Sequence, residues 1–130
     1  MEYTVEYNKR QFEQLDQILA EELMETGVEV ALLIDMAGNI IINLDDGNTS
    51  IDVYSLAALA AGNFGAVNAM AQILGEQDFS LLFHKGSKES IHFSKVNDNL
   101  LLISIFGGDL SLGFLRLKVD ETIKRIKKVI

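Results

Sequence analysis

Between Leu56 and Met70 four small residues, Ala57, Ala61, Gly65 and Ala69, recur at every fourth position, and Ala58, Gly62 and Ala66 form a second such row beside them. On a helix, residues four apart stack on one side, so these rows make a strip without bulk along which another backbone can come unusually close. The flanking pattern predicts a single long helix from Ile51 to Leu74, stopped by Gly75. Two glycines inside a helix cost on the order of 1 kcal/mol each relative to alanine, and something must offset that. The large side chains Leu56, Leu59, Val67, Met70 and Ile73 can supply the stripe that faces the chain's own core. The small strip then serves a helix–helix contact, most simply with the same helix of a second copy about a two-fold axis. The competing reading packs the strip on the chain's own sheet, although a sheet usually receives bulkier residues than these.

Around that helix the other elements can be read from periodicity. Phe12, Leu15, Ile18, Leu19 and Leu23 predict a first helix over Asn8–Thr26, with Asn8 as N-cap and Gly27 as the stop. Val28–Ile34 and Ile40–Asn43 read as a hairpin turning through Asp35-Met36-Ala37-Gly38-Asn39. Thr49 and Ser50, which end the following loop, are candidate caps for the central helix. Phe79–His84, Ser90–Val96 and Leu100–Ile105 read as three further strands, and Leu112, Leu115, Val119, Ile123 and Ile126 as the buried stripe of a last helix over Ser111–Val129. Ala31–Ile34 and Leu100–Ile105 are apolar on both faces, as strands covered on both sides should be. Placing these two side by side gives a five-stranded antiparallel sheet of order 2-1-5-4-3. The long helix covers one face and the N- and C-terminal helices the other, an α+β fold of element order α-β-β-α-β-β-β-α. The 130 residues read as one domain, 1–130.

Composition removes several classes of function. Eleven basic residues against nineteen acidic ones give a net charge of −8, unevenly divided as −10 over residues 1–65 and +2 over 66–130. That balance opposes nucleic-acid binding and attraction to an anionic membrane surface. The basic run Lys124-Arg125-Ile126-Lys127-Lys128 suits the C-terminal end of a helix. Without cysteine there is no disulfide, thiol nucleophile or zinc ribbon. The start, Met1–Arg10, lacks the apolar region of a signal peptide, and apolar runs such as Leu100–Leu102 are far short of a bilayer span, so a cytoplasmic protein without membrane insertion is expected.

Catalytic and cofactor motifs do not emerge. No P-loop sequence is present. Asp45-Asp46-Gly47 hints at a calcium loop, but Ile42 and Leu44 occupy ligand positions and Val53 replaces the closing Glu. Gly107-Gly108 before a helix is read as a turn rather than an anion nest. Pairing Phe83 with Ile91 and Leu81 with Phe93 puts His84 and His92 together on a polar face, where both are expected to be solvated. No catalytic residue, metal or cofactor is assigned.

The residues Ala31-Leu32-Leu33-Ile34-Asp35 with Gly38, then Leu56-Ala57-Ala58-Leu59-Ala60-Ala61-Gly62-Asn63, then Leu74-Gly75-Glu76, resemble the Roadblock / dynein light chain family, and in detail its bacterial MglB-type members. The likeness runs from about Phe12 to Ile130 and rests on element order plus the small-residue helix. It implies a homodimer whose long helices pair and whose edge strands, at Phe79, Leu81 and Phe83, join two sheets. It further implies a partner, a small Ras-like GTPase of the MglA type, whose GTP hydrolysis the dimer stimulates. Ala57, Ala58, Ala61, Gly62, Phe64, Gly65 and Ala69 are then the dimer or GTPase interface, with Ala61, Gly65 and Ala69 on the docking side. Arg10 lies at a helix start and Arg116 and Arg125 within the last helix, so none is placed as an arginine finger. The resemblance likewise implies activation by reshaping the GTPase. A dimeric scaffold or light-chain-type adaptor of the same fold is the alternative, separated only by whether GTP turnover rises.

Overall fold

In a computed structural model of the chain, residues 6–76 and 81–130 are described. Their elements are α1 (Lys9–Glu22), β1 (Val30–Asp35), β2 (Ile40–Asp45), α2 (Val53–Ile73), β3 (Leu81–Lys85), β4 (Glu89–Lys95), β5 (Leu100–Gly107) and α3 (Leu112–Lys127). The strands form one sheet in the order β2-β1-β5-β4-β3, every pairing antiparallel. This is the expected topology, and its cause is the expected one. β1 and β5 lie side by side in the interior of the sheet, and Ala31–Ile34 and Leu100–Ile103 are fully buried.

Alternation along these strands divides the core in two. Ala31, Leu33, Leu100, Leu102 and Phe106 point to one face, where Leu15, Ile18, Leu19 and Leu23 and then Leu115, Val119 and Ile126 of α3 cover them. Val30, Leu32, Ile34, Leu101, Ile103 and Ile105 point to the other, under Ala57, Ala60 and Phe64 of α2. The first helix begins at a reciprocal capping box, in which Gln11 N–H donates to Asn8 Oδ1 (2.8 Å) and Asn8 N–H donates to Gln11 Oε1 (2.9 Å). It ends at Glu22, earlier than expected, and one 3₁₀ turn over Met24–Thr26 carries the chain to Gly27. The cap of α2 is Asp52 rather than Thr49 or Ser50. Its carboxylate accepts from Ser55 N–H at 3.2 Å and Ser55 Oγ–H at 2.7 Å, and these bonds hold its pKa below the ordinary value.

Two local readings change. The β3–β4 pairing is one residue out from the expected register: Phe83 stands opposite His92, and His84 opposite Ile91. Gly86 N–H donates to Glu89 O at 2.9 Å and closes a tight turn around Ser87-Lys88, and a one-residue slip sends alternate side chains to opposite faces. His92 therefore lies buried on the α3 side while His84 is exposed on the other. The expectation of two solvated neighbours fails for His92. Second, although apolar runs such as Leu100–Leu102 are short, Val53–Ile73 with its interspersed Ser, Asn, Gln and Gly is a helix long and apolar enough, by length and composition alone, to cross a membrane. Here its Ala57, Ala60, Phe64 and Ala71 are turned inward and buried. Gly107-Gly108 forms a turn, with Leu110 N–H donating to Gly107 O.

Candidate interaction surface

At about 31 Å, α2 is the longest element, and no residue from Val53 to Ile73 carries a charge. One large side chain, Phe64 at 1% exposure, anchors it in the core alongside the buried alanines at 57, 60 and 71. Burying that ring is worth about 3 kcal/mol by area. The helix sits close enough for the β1–β2 turn to touch its backbone. There the buried Asp35 carboxylate accepts from Ala37 N–H (3.0 Å), Asn39 N–H (2.8 Å) and Asn39 Nδ2–H (2.9 Å). Those bonds hold Gly38 at φ +92° against Ala57 and Ala58.

Close seating reverses part of the expected division of the helix. Leu59, Met70 and Ile73, expected in the core, are exposed at 72%, 53% and 84%. Ala57 and Phe64, expected at an interface, are buried in the chain's own core and present no surface. Ala61 is half-buried, whereas Ala58, Gly62, Gly65, Ala66 and Ala69 are exposed or partly so. The reason is geometric. Four residues span 400°, so an i+4 row turns about 40° per step around the axis. The row from Ala57 starts in the core and winds out through Ala61 to Gly65 and Ala69, while the row Ala58, Gly62, Ala66 stays outside. The outward face thus has a floor of small residues with Leu59, Met70 and Ile73 beside it. A Cβ added at Gly62 or Gly65 would meet nothing within 4 Å, so nothing in the described chain requires glycine at either place. Inward alanines at i and i+3 followed by Phe64 at i+7 were the available signal for the true core stripe.

The second expected contact, the edge strand, lies at the end of the sheet order, where among the described strands β3 pairs with β4 alone. Leu81 begins this strand, and Phe83 is half-buried toward the α1/α3 face, stacked on Phe106 with ring centroids 6.1 Å apart. Phe79 lies outside the described residues. All three arginines sit across the sheet from α2: Arg10 on α1 and Arg116 and Arg125 on α3, where Arg125 Nη1 donates to Glu21 Oε2 at 2.9 Å. Among the described residues no group of three or more His, Cys, Asp or Glu side chains is placed to hold a metal ion.

A sheet of this order between one long helix and a terminal helix pair, with an uncharged small-residue face turned outward, is the architecture of a Roadblock-type protein. Residues 15–106 match the Roadblock/LC7 domain, and the chain belongs to that family. Among solved structures it is similar to Myxococcus xanthus MglB, at 29% identity and a TM-score of 0.88 over 97% of this chain and 93% of that one. It is also similar to the gliding protein MglB of Thermus thermophilus, at 27% identity and a TM-score of 0.90 over 99% and 97%. An MglB with a tetrameric arrangement gives 26% identity and a TM-score of 0.91 over 99% and 96%. Among curated proteins no relative matches the sequence.

Proposed function

We propose that this chain is a homodimeric, cytoplasmic regulator that binds a small Ras-like GTPase of the MglA type and stimulates its GTP hydrolysis. The observation that carries the reading is the outward face of α2, an uncharged helix that exposes Gly62 and Gly65 with no neighbour and leaves Leu59, Met70 and Ile73 in solvent. Glycine in mid-helix is costly, and large exposed apolar side chains mark contact surfaces. The near full-length likeness to MglB, including one with a tetrameric arrangement, supports self-association and a GTPase partner. Ala58, Ala61, Gly62, Gly65 and Ala69 form the shared floor on which the helices pair and the GTPase rests. The edge strand β3, with Leu81 and Phe83, joins the two sheets. Stimulation is allosteric: the dimer prefers the GTP-bound conformation and stabilises its hydrolysis-competent form.

GTP turnover by a co-occurring Ras-like GTPase, measured with and without this protein at several ratios, tests the proposal. Saturable acceleration is the expected result. GTP-dependent binding without acceleration would instead make the protein a scaffold or adaptor, and absence of binding would remove the GTPase altogether.

A further inference from the structure

Beneath α3, away from the α2 face, three buried polar atoms lack a hydrogen-bond partner among the described residues: Nδ1 and Nε2 of His92, and Oγ of Ser104. His92 is 2% exposed and Ser104 is fully buried, and the two stand directly opposite each other on β4 and β5. Ser94, two residues along β4, faces the same way and is buried too. A cavity of about 90 Å³ opens over His92 and Ser94, lined by these two with Arg116, Val119 and Asp120, while Ser104 stays beneath its floor as the cross-strand neighbour of His92. By this measure one water needs only about 10–15 Å³, so the space admits a ligand of several heavy atoms.

The lining specifies the chemistry of an occupant. Burial, reinforced by the Arg116 guanidinium and opposed by Asp120, pushes the His92 pKa down to about 4, so the ring is neutral near pH 7. A neutral imidazole offers one N–H and one bare nitrogen, and Ser94 and Arg116 add donors. Arg116 is the cationic group of the lining and Asp120 the anionic one. A purely accepting anion such as chloride or nitrate can offer nothing to a bare ring nitrogen and meets the Asp120 carboxylate with no proton to donate. An oxyanion that keeps a hydroxyl can accept from Arg116 and Ser94, meet whichever ring nitrogen faces the cavity as either acceptor or donor, and turn its hydroxyl to Asp120. We propose that the cavity under α3 between His92, Ser94 and Arg116 binds a small hydroxylated oxyanion, bicarbonate or dihydrogen phosphate, with Arg116 as its charged contact.

The chain has two histidines, so His84, exposed on the other face, serves as an internal control. Imidazole nitrogen resonances of the full chain would be followed during titration with sodium phosphate, sodium bicarbonate and sodium nitrate at constant pH and ionic strength. Phosphate, bicarbonate or both should shift His92 saturably and leave His84 in place, whichever responds identifying the ligand. Arg116→Gln, at an exposed position, should weaken that response about tenfold or more. Silence of His92 toward both oxyanions would reduce the cavity to a site for water alone and overturn the proposal. An equal response to nitrate, or one indifferent to Arg116→Gln, would overturn it as well.

Discussion

Gly38 lies against the backbone of Ala58: a Cβ at Gly38 would stand 3.0 Å from Ala58 Cα and 3.4 Å from Ala57 O. The hairpin tip and the central helix therefore touch backbone to backbone, and the touching residue also holds φ +92°. A side chain there meets both a rigid neighbour and a strained backbone. Gly38→Ala is expected to destabilise the fold by about 2–4 kcal/mol, the sum of strain and displacement. Urea unfolding would measure this, and a change below 0.5 kcal/mol, roughly the scale of an ordinary surface substitution, would show that the contact is not tight.

Gly62 and Gly65 behave oppositely, because a Cβ at either meets open space in the described chain. Replacing each by alanine should improve helix stability by about 1 kcal/mol where the chain is alone. The same change adds a methyl group to the floor of the proposed interface and should weaken self-association, read by sedimentation across a range of concentrations. Gly65→Arg carries the test further. It should leave a folded protein by circular dichroism and block GTPase binding, and unimpaired binding would remove α2 from the docking surface.

What the sequence disclosed follows from how strongly each pattern constrains one state. Ala31–Ile34 and Leu100–Ile103 have apolar residues on both faces, which only strands covered on both sides accommodate, and the sheet order followed from setting them side by side. The orientation of α2 was less legible. Nearly every position from Leu56 to Met70 is apolar or small, so a hydrophobic pattern admits several rotations of the helix about its axis. What chose between them was steric. The tip at Gly38 lies against the backbone of Ala57 and Ala58, a tertiary contact that no periodicity within the helix encodes. His92 was missed for a similar reason. A turn shorter by one residue inverts the faces of β3 relative to β4, and turn length is weakly written in Gly86-Ser87-Lys88.

Arg10, Arg116 and Arg125 all belong to α1 or α3, on the face of the sheet that α2 does not cover. A partner resting on α2 would be out of reach of all three. Arg10→Ala, Arg116→Ala and Arg125→Ala should each leave maximal GTPase stimulation within a few-fold. Loss of an arginine finger costs about 10³-fold or more. A loss on that scale in single-turnover assays with any one variant would overturn both the allosteric mechanism and the docking face.

Two buried or crowded groups give the stability of the fold opposing pH dependences. The folded pKa of His92, about 4, lies below its ordinary value of 6.5, chiefly through burial. Its neutral form is the one the fold accepts, so stability is full above pH 6.5 and is lost as pH falls toward 4, by about 3 kcal/mol at most. Glu29 runs the other way. A hydrogen bond shared with Glu89, then burial, then repulsion from Glu89, Asp46 and Asp109 raise its pKa from 4.5 to about 7. The fold prefers the protonated carboxyl, and that preference is fully present below pH 4.5 and lost as pH rises through 7. Urea midpoints at intervals from pH 4 to 8 should therefore respond selectively to two substitutions. His92→Gln should flatten the rise in stability between pH 4 and 6.5, and Glu29→Gln should remove the decline between pH 4.5 and 7, each leaving the other group's contribution in place. If either contribution persists unchanged in its variant, the titrating group has been assigned to the wrong residue.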